Sequence, residues 1–363
     1  MLSEFSFISL LGLFLLGSYG IMQLYITLLI RRHSREKVSA LPPLRLFVPV
    51  RNEAEEIRGF LESISTQSIS LQGVWGEDGS TDETPALLEP TLASGEWQLC
   101  QVSPSLHDRY PGKHAVLVAL ENKVDTPIFL LADADMRFPQ RWAEGLASWL
   151  MLHPEFGGVC APSLPRDRGL WSGFQRIEWA ATLYLIAATQ TRGQIVTAIG
   201  NSMAVRRSAW ESIGGWRSLP PSLVEDYTFM RALLLRGWRF AWLFHPAVVG
   251  ETRAEPTLRR WIHQRRRWRL AVPHIPPLAA YYWIVQSLLP WTLLMQSSLT
   301  FFLIWTAAEA LPLLVLRRVL CLSHILRYIP LLLLYRMLEG VVLSGLLLSH
   351  QPIDWRGRNY RLS

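Results

Sequence analysis

The sequence predicts a membrane-anchored α/β protein, in which a cytosolic domain with a mostly parallel sheet lies between apolar segments. Three observations lead to this prediction. An uncharged segment runs from Phe5 to Ile30, strand and helix patterns alternate in the middle of the chain, and long apolar stretches follow Arg269. About 20 apolar residues span a bilayer as a helix. Alternating strands and helices are typical of parallel sheets covered by helices.

The composition agrees with a membrane protein. Half of the 363 residues are hydrophobic, and the net charge is +7. A basic balance suits nucleic acid, an anionic membrane surface or an anionic substrate. Because the arginines cluster beside apolar segments, we expect a membrane and a phosphate-bearing substrate, and no nucleic acid. The three cysteines, Cys100, Cys160 and Cys321, have no metal-type spacing, which is typical of a reduced cytosolic domain.

Residues 5–30 are predicted to form a transmembrane helix and not a cleaved signal peptide. Signal peptides have a basic start, a shorter apolar core and small residues at the cleavage site. This chain begins Met-Leu-Ser-Glu, and its first apolar segment ends at Arg31 and Arg32. The N-terminal segment therefore has the features of an anchor.

Residues 278–350 are predicted to add two or three transmembrane segments. Leu270–Ala308 has no formally charged residue, and Tyr328–Leu348 is largely apolar. Within the last segment, Arg336 and Glu339 lie one helical turn apart. We expect an ion pair that faces other helices, in preference to a proton path.

Basic residues predict the orientation of these segments, because they favour the cytoplasmic side. They follow the first apolar segment and recur at residues 317–327 and 356–361. One crossing between the last two groups cannot satisfy both, so either one segment is re-entrant or the tail breaks the rule. We expect a multi-pass protein of the plasma membrane with a cytoplasmic α/β domain.

Residues 40–257 carry the α/β pattern, in which apolar runs are separated by polar turns. The predicted elements are a strand at Leu44–Val50, a helix at Glu55–Gln67, a strand at Gln72–Trp75, a short helix at Thr84–Glu89, a strand at Trp97–Val102, a helix from Gly112 to about Glu121, and a strand at Ile128–Asp135.

Carboxylates follow three of these strands. Glu53 comes after the first strand, Asp78 after the second, and Asp133 with Asp135 ends the apolar run that begins at Ile128. Ligands bind beyond the carboxyl ends of the strands in open α/β sheets. These side chains are therefore candidates for one binding site.

The Asp133-Ala134-Asp135 triplet predicts a divalent cation site for Mg²⁺ or Mn²⁺. Both ions prefer oxygen ligands, and Mg²⁺ is commonly held by one or two carboxylates together with substrate phosphates. Alternation along a strand would point both aspartates to the same side. We therefore expect the pair to hold a cation against a diphosphate.

Two further acidic segments have both structural and catalytic interpretations. Asp78-Gly-Ser-Thr-Asp82 reads as a turn with a helix cap, although Asp78 could also accept hydrogen bonds from a base or a ribose. Glu225-Asp226 precedes a predicted helix at Tyr227–Leu235, where acids often cap. A carboxylate at Asp226 could instead act as the general base for an acceptor hydroxyl.

Residues 258–272 are predicted to form an amphipathic helix at the membrane surface. Six arginines lie in the segment Arg259–Arg269, and Trp261 and Trp268 interrupt them. Arginines with tryptophans beside an apolar segment suit an interfacial helix. A guanidinium can also bind a leaving diphosphate with paired hydrogen bonds, so the same helix could serve both purposes.

Seven short segments follow one another along the chain. They are Val48-Pro-Val-Arg-Asn-Glu53, Glu77-Asp-Gly-Ser-Thr-Asp82, Gly112-Lys113, Asp133-Ala-Asp135, Gly200-Asn-Ser202, Glu225-Asp226 and Gln264-x-x-Arg267-Trp268. In this order they resemble the membrane-bound family 2 glycosyltransferases, which have the GT-A fold, a Rossmann-like mixed sheet. The resemblance covers about Leu44 to Trp268 and the apolar segments on both sides. One departure is Glu77-Asp78, where the family usually has two aspartates.

The resemblance implies a single displacement that inverts the anomeric centre of a nucleotide sugar, with a UDP-hexose expected from family frequency. It implies that Asp135 holds the metal and that Asp226 is the base. Gln264, Arg267 and Trp268 would close over the diphosphate and the acceptor. The donor-binding residues that it implies are Val50, Asn52, Glu53, Asp78, Lys113 and Asp133.

The expected acceptor is a membrane lipid, such as a carotenoid, a hopanoid or another lipid. The chain is short, its tail offers few helices for an extrusion channel, and Trp179–Ala188 is strongly apolar, although a core helix would also explain that segment. A processive polysaccharide synthase is the alternative. A non-catalytic membrane binding protein ranks lower, because all the acidic and arginine positions are present.

Overall fold

The computed structural model describes residues 7–29, 38, 40–190, 193–268, 277–296, 299–322, 325–347, 353–355 and 358–360. The strands are numbered in chain order. They are β1 (Leu44–Val50), β2 (Gln72–Glu77), β3 (Trp97–Gln101), β4 (Ile128–Ala132), β5 (Phe156–Cys160), β6 (Ser163–Pro165), β7 (Ser202–Arg206), β8 (Arg239–Trp242), β9 (Gly250–Thr252), β10 (Ile353–Trp355) and β11 (Arg358–Tyr360).

The α-helices are numbered in the same way. They are α1 (Phe7–Leu29), α2 (Ile57–Ser65), α3 (Thr84–Ala93), α4 (Lys113–Leu120), α5 (Trp142–Leu152), α6 (Leu170–Gln190), α7 (Arg207–Ser212), α8 (Glu225–Leu235), α9 (Leu258–Trp268), α10 (Pro277–Gln296), α11 (Leu299–Leu316) and α12 (Ile329–Leu347). Short 3₁₀ turns connect several of them.

A seven-stranded mixed sheet in the order β3-β2-β1-β4-β7-β5-β8 forms the centre of the α/β domain. Strand β7 runs antiparallel to both of its neighbours, and the other neighbouring pairs are parallel. Strands β2, β1 and β4 are adjacent, so the segments that follow them meet at one edge. Strands β6 and β9 form a separate parallel pair.

Helices cover both faces of the sheet, which explains why its strands are nearly continuous apolar runs. Alternate residues of β1 enter two different cores. Leu46 and Val48 pack with α2, α3 and α5 on one face, and Phe47 packs with α4, α6 and α8 on the other. The second core continues without a break into α1, α10 and α11.

The predicted elements are present, with three corrections. Helix α3 continues beyond Pro90 to Ala93, because buried Leu88 holds it in the core despite the hydrogen bond that proline cannot donate. Helix α8 begins at Glu225 and not after Asp226. Strand β4 ends at Ala132, before the aspartates.

Four long helices, α1, α10, α11 and α12, occupy the regions predicted to be transmembrane, and they pack against one another. Among the described residues, α11 is long and apolar enough to cross a membrane, and Leu10–Tyr25 is a shorter apolar stretch. The number of crossings stays a prediction. Arg31, Arg32 and most of the basic C-terminal tail lie outside the described residues.

The predicted ion pair in the last helix is confirmed. Arg336 Nη1 lies 2.5 Å from Glu339 Oε2, and Arg336 Nη2 lies 3.3 Å from Glu309 Oε2 on α11. All three side chains are buried. Arg336 therefore pairs with one carboxylate of its own helix and one of α11.

Candidate active site

The loops that follow β1 and β2 are joined by side-chain hydrogen bonds. The backbone N–H of Thr81 donates to Asn52 Oδ1 at 2.8 Å, and the N–H of Asn52 donates to Ser80 Oγ at 3.1 Å. Asn52 has a φ of +52°, a left-handed conformation that Asn tolerates better than most residues. Asn52 therefore fixes the shape of the edge where a donor is expected, next to Val50 at the end of β1.

Asp82 and Glu53 belong to the same pair of loops. Asp82 accepts hydrogen bonds from the N–H groups of Thr84 and Ala54, at 3.0 and 3.1 Å. The N–H of Glu53 donates to Thr84 Oγ1 at 2.8 Å. The structural interpretation of Asp82, as a turn residue ahead of α3, is thus confirmed.

Asp78 is buried at the end of β2 and lies between two basic side chains. Its Oδ1 is 2.6 Å from His107 Nε2, and its Oδ2 is 3.5 Å from Arg51 Nη1. The neighbouring Glu77 accepts from the N–H groups of Gly79 and Ser80, at 3.1 and 2.5 Å. Glu77 therefore stabilises the turn, and the carboxylate of Asp78 is directed to His107 and Arg51.

Lys113 connects the expected donor residues with the expected base. Its ammonium group donates to Asp133 Oδ1 and, at 3.0 Å, to the carbonyl of Gly200. The N–H of Gly200 donates to Asp226 Oδ2 at 2.9 Å. A Cβ at Gly200 would lie 3.2 Å from Lys113 Nζ and 3.4 Å from Asp226 Cβ. A larger side chain at this position would therefore push the lysine or the aspartate away by a few tenths of an ångström.

The charges of this cluster shift the pKa values of its members. Burial raises the pKa of Asp226, whereas Lys113 and the Gly200 N–H oppose this shift. Burial and the adjacent Asp226 raise the pKa of Glu225 to about 7. Burial alone would lower the pKa of Lys113, but Asp133 and Glu225 raise it above its ordinary value. A carboxyl with a raised pKa is a better proton acceptor near neutral pH.

Asp135 lies in a turn and not on a strand. The chain turns after Ala132, where the N–H of Met136 donates to the carbonyl of Asp133 at 3.2 Å. The expectation that alternation points both aspartates to the same side is therefore wrong. Asp133 faces Lys113, and Asp135 Oδ2 accepts from Thr252 Oγ1 at 3.0 Å.

Asp135 offers one half-buried carboxylate at the open edge of the sheet. One or two carboxylates together with substrate phosphates are the usual Mg²⁺ set. Arg166 Nη1 donates to the carbonyl of Asp135 at 3.0 Å, and Arg166 Nη2 lies 2.6 Å from Glu56 Oε2. Within the described ranges, no three His, Cys, Asp or Glu side chains form a cluster that could hold a metal ion.

Helix α9 is packed against the rest of the protein on the side of Trp261, which is fully buried. The location of α9 at a membrane surface stays a prediction. The positive charge of Arg267 opposes part of the rise in pKa that burial causes at Glu225 and Asp226. Gln264 Nε2 donates to Glu255 Oε1 at 3.0 Å. Residues 269–272 of the predicted interfacial segment lie outside the described residues.

The apolar stretch Trp179–Ala188 belongs to α6, most of which is buried. This confirms the core-helix interpretation of that stretch. The ring of Trp179 contacts the ring of Trp268 with a centroid distance of 5.2 Å. Helix α6 therefore supports the end of α9.

Sequence reasoning missed several residues of this site, which are His107, Arg166, Thr252, Glu178 and Arg265. Their contacts join segments that are far apart in the sequence. His107 contacts Asp78, Arg166 and Thr252 contact Asp135, and Glu178 contacts Arg265 on the motif helix. His107 is 29 residues from Asp78, and Thr252 is 117 residues from Asp135. For Arg265, the cluster of arginines after Gln264 was the one signal in the sequence. The sequence alone does not show which of these arginines faces the interior of the protein.

The comparisons with known proteins agree with this architecture. A family model described as glycosyl transferase family group 2 matches residues 128–343. A mannosyltransferase from Pyrobaculum calidifontis, solved in complex with GDP-Man and Mn²⁺, has a TM-score of 0.56 at 20% identity, over 92% of this chain and 98% of that chain. This likeness confirms the mixed α/β fold with its mostly parallel central sheet.

Two curated relatives have names that refer to glucosylated lipids or to glucosyl transfer. A beta-monoglucosyldiacylglycerol synthase of Nostoc sp. is 27% identical over 250 residues, which are 66% of this chain and 50% of the relative. Ceramide glucosyltransferase 1 of Caenorhabditis elegans is 26% identical over 182 residues, 49% of this chain and 36% of the relative. The chain thus spans about half or less of the length of these relatives. With most of its sheet and its helical tail inside the matched region, the chain belongs to glycosyl transferase family group 2.

Proposed function

We propose that this protein transfers a hexose from a nucleotide diphosphate sugar to a hydroxyl group of a membrane lipid. The observation that carries the proposal is the cluster of Lys113, Asp133 and Asp226, which joins the carboxyl end of β4 to the start of α8. Arg267 approaches the same cluster from α9. A donor diphosphate and an acceptor hydroxyl need these groups in one place.

The nucleotide would lie on the edge formed by the loops after β1, β2 and β4. Asp78 would accept hydrogen bonds from the base, and Asp133 with Lys113 would contact the nucleotide. Val50, Asn52 and Glu53 would shape the first loop. A UDP-hexose is the donor to test first. Glu77, which replaces the aspartate usual in the family, accepts hydrogen bonds from the turn after β2, and we expect this change to alter only the fit of the nucleotide.

Asp135 would hold Mg²⁺ or Mn²⁺ at this edge. When bound there, the cation would offset the negative charge of the departing diphosphate. Thr252 orients the carboxylate of Asp135 by donating to Oδ2, and Arg166 fixes the turn by donating to the Asp135 carbonyl. Arg267, a second cation beside the base after Lys113, would neutralise charge on the leaving group.

Asp226 would act as the general base of an inverting displacement. The acceptor oxygen forms a bond to the anomeric carbon while the bond from that carbon to the diphosphate breaks. The acceptor proton moves to a carboxylate oxygen of Asp226. The backbone N–H groups of Gly200 and Tyr227 hold this carboxylate, at 2.9 and 2.8 Å, so it is positioned before the substrates bind.

A lipid acceptor is supported by the helices that share a core with the α/β domain. Helices α1, α10 and α11 pack into the same core as α4 and α6, which would bring a bilayer close to the catalytic edge. The names of the two curated relatives specify diacylglycerol and ceramide products. We propose a multi-pass plasma membrane protein with residues 40–257 as the cytoplasmic catalytic domain.

The test is transfer from radiolabelled UDP-sugars by membranes that contain the protein, with partition of the label between organic solvent and insoluble polymer. We expect a discrete organic-soluble product that disappears with excess chelator and in Asp135→Ala. The matched control is Glu89→Ala, at an exposed carboxylate on α3, which should keep full activity. Label in polymer would replace the proposal by a processive synthase, and activity in chelator would refute the role of the cation.

A further inference from the structure

Arg265 lies between Gln264 and Arg267 at a position that the family motif leaves open, yet its side chain is almost entirely buried, with 4% exposed. It points into the protein towards Glu178 on α6, whose side chain is 7% exposed. Arg265 Nε donates to Glu178 Oε1 at 2.5 Å, and Nη2 donates to Oε2. The two groups thus form a bidentate pair, the strongest and most directional kind of ion pair.

Glu178 is held in turn by two other elements. Trp261 Nε1 on α9 donates to Glu178 Oε2 at 3.1 Å, and Tyr335 Oη on α12 donates to the same oxygen at 2.5 Å. The carboxylate therefore has fixed partners on α9 and α12 as well as its own place on α6. A buried pair with this many hydrogen bonds leaves Arg265 a single orientation.

Arg265 also contacts Gln264 and Trp268, which are proposed to close over the substrates, and the buried Trp261. Its Nη1 donates to Gln264 Oε1. Its guanidinium carbon lies 4.4 Å from the ring centroid of Trp268 and 4.9 Å from that of Trp261, so the planar group packs between two indole rings. Cation–π contacts of desolvated arginine are stabilising.

We infer that Arg265, anchored by Glu178, is a positioning residue that sets the orientation of Gln264 and Trp268 at the acceptor side of the active site. This inference rests on the proposed function. In this inference Arg265 acts through the hydrogen bond to Gln264 and the packing on Trp268, and not by binding a substrate. Through Tyr335, the same pair ties the motif helix to a helix of the apolar bundle.

The first test is Arg265→Lys in the full-length protein in lipid nanodiscs. Lysine keeps a positive charge beside Glu178, but it has no planar fork to donate to Gln264 and to pack between the indoles. A small misplacement of groups next to the reaction lowers the rate by about 10²-fold. We expect kcat to fall by about this factor, with the KM for the nucleotide sugar within about twofold of wild type. An unchanged kcat would overturn the inference.

The matched control is Arg260→Lys, on the exposed part of the same helix, which should change neither constant. A double variant, Glu178→Gln with Arg265→Met, removes both buried charges and so leaves no uncompensated ion. We expect its Tm to be close to that of wild type while kcat stays about 10²-fold lower. If both kcat and Tm of the double variant equal those of wild type, the Arg265–Glu178 pair only stabilises the fold, and the inference is refuted.

A spectroscopic measurement separates this inference from the proposed function. The protein is labelled with 5-fluorotryptophan, and the ¹⁹F resonance of Trp268 is assigned with Trp268→Phe. We expect this resonance to shift in Arg265→Lys and to stay in place in Arg260→Lys. If the wild-type protein transfers no sugar, the proposed function fails. The Trp268 resonance then still tests whether Arg265 positions Trp268. An unshifted Trp268 resonance in Arg265→Lys would refute the positioning.

Discussion

Replacing Asp226 by asparagine tests the proposed base with the smallest change of shape. The carboxylate accepts two backbone hydrogen bonds, from Gly200 at 2.9 Å and from Tyr227 at 2.8 Å. Asparagine keeps one acceptor oxygen, and its amide group faces the second N–H. One backbone donor is then left unsatisfied, which costs about 1–3 kcal/mol of stability. The variant should therefore fold, with a lower Tm.

The kinetic effect should be larger than the effect on stability. A positioned general base contributes about 10²–10⁴-fold to the rate, which corresponds to about 3–5 kcal/mol of barrier at about 1.4 kcal/mol per factor of ten. Asparagine cannot accept the acceptor proton, so we expect kcat to fall by about 10²–10⁴-fold. Because Asp78 and Asp133 are unchanged, donor affinity should stay within about threefold.

The assay measures initial rates of labelled lipid product against donor concentration, together with the Kd for the nucleoside diphosphate by calorimetry. Glu225→Gln is the matched control, because it neutralises the adjacent buried carboxylate and leaves Asp226 intact. We expect this control to keep kcat within about tenfold of wild type, which is less than the contribution of a base. Full activity of Asp226→Asn, or an equal loss in both variants, would refute the base assignment.

Three further predictions concern pH, the donor and the helical bundle. Burial raises the pKa of Asp226 above 3.8, the ordinary value for aspartate, so kcat/KM should fall on acidification at a pH above 3.8. The same fall at acidic pH should persist in Glu225→Gln. If it disappears in that variant, Glu225 is the titrating base. Asp78→Asn should raise the KM for the donor by about tenfold with little change in kcat, because a hydrogen bond to a charged group contributes about 1.5 kcal/mol or more. Steady-state kinetics measure both constants, and an unchanged KM would contradict the role of Asp78 in donor binding. Arg336→Met should destabilise the protein by about 3–5 kcal/mol, because it leaves buried carboxylates uncompensated. Thermal unfolding in detergent measures this, with exposed Arg317→Met as the control that should leave Tm nearly unchanged.

Local patterns explain why the strands were predictable. Leu44–Val50 and Ile128–Ala132 are short, apolar and bounded by polar turns, and both of their faces are buried as central strands require. Errors arose at the ends of elements. The triplet Asp133-Ala134-Asp135 looked like the end of a strand, but the backbone turns there because β4 has already reached the sheet edge.

The partners of the catalytic groups could not be predicted in the same way. Lys113 meets Gly200 across 87 residues, and Gly200 meets Asp226 across 26. These contacts depend on β7 lying antiparallel between β4 and β5, a sheet order that no local pattern specifies. The resemblance to family 2 glycosyltransferases named the residues, whereas the fold brought them to one place.

The sequence by itself determined the α/β domain between apolar segments, the carboxylates that follow its strands and the basic helix at its end. These features depend on periodicity and composition, which are local properties of the chain. Only the tertiary structure decided that Asp135 faces Thr252, that Trp261 is buried and that Arg265 turns inward to Glu178. Such partners come from distant segments, and the packing of α6, α9 and α12 determines which side of a helix is buried.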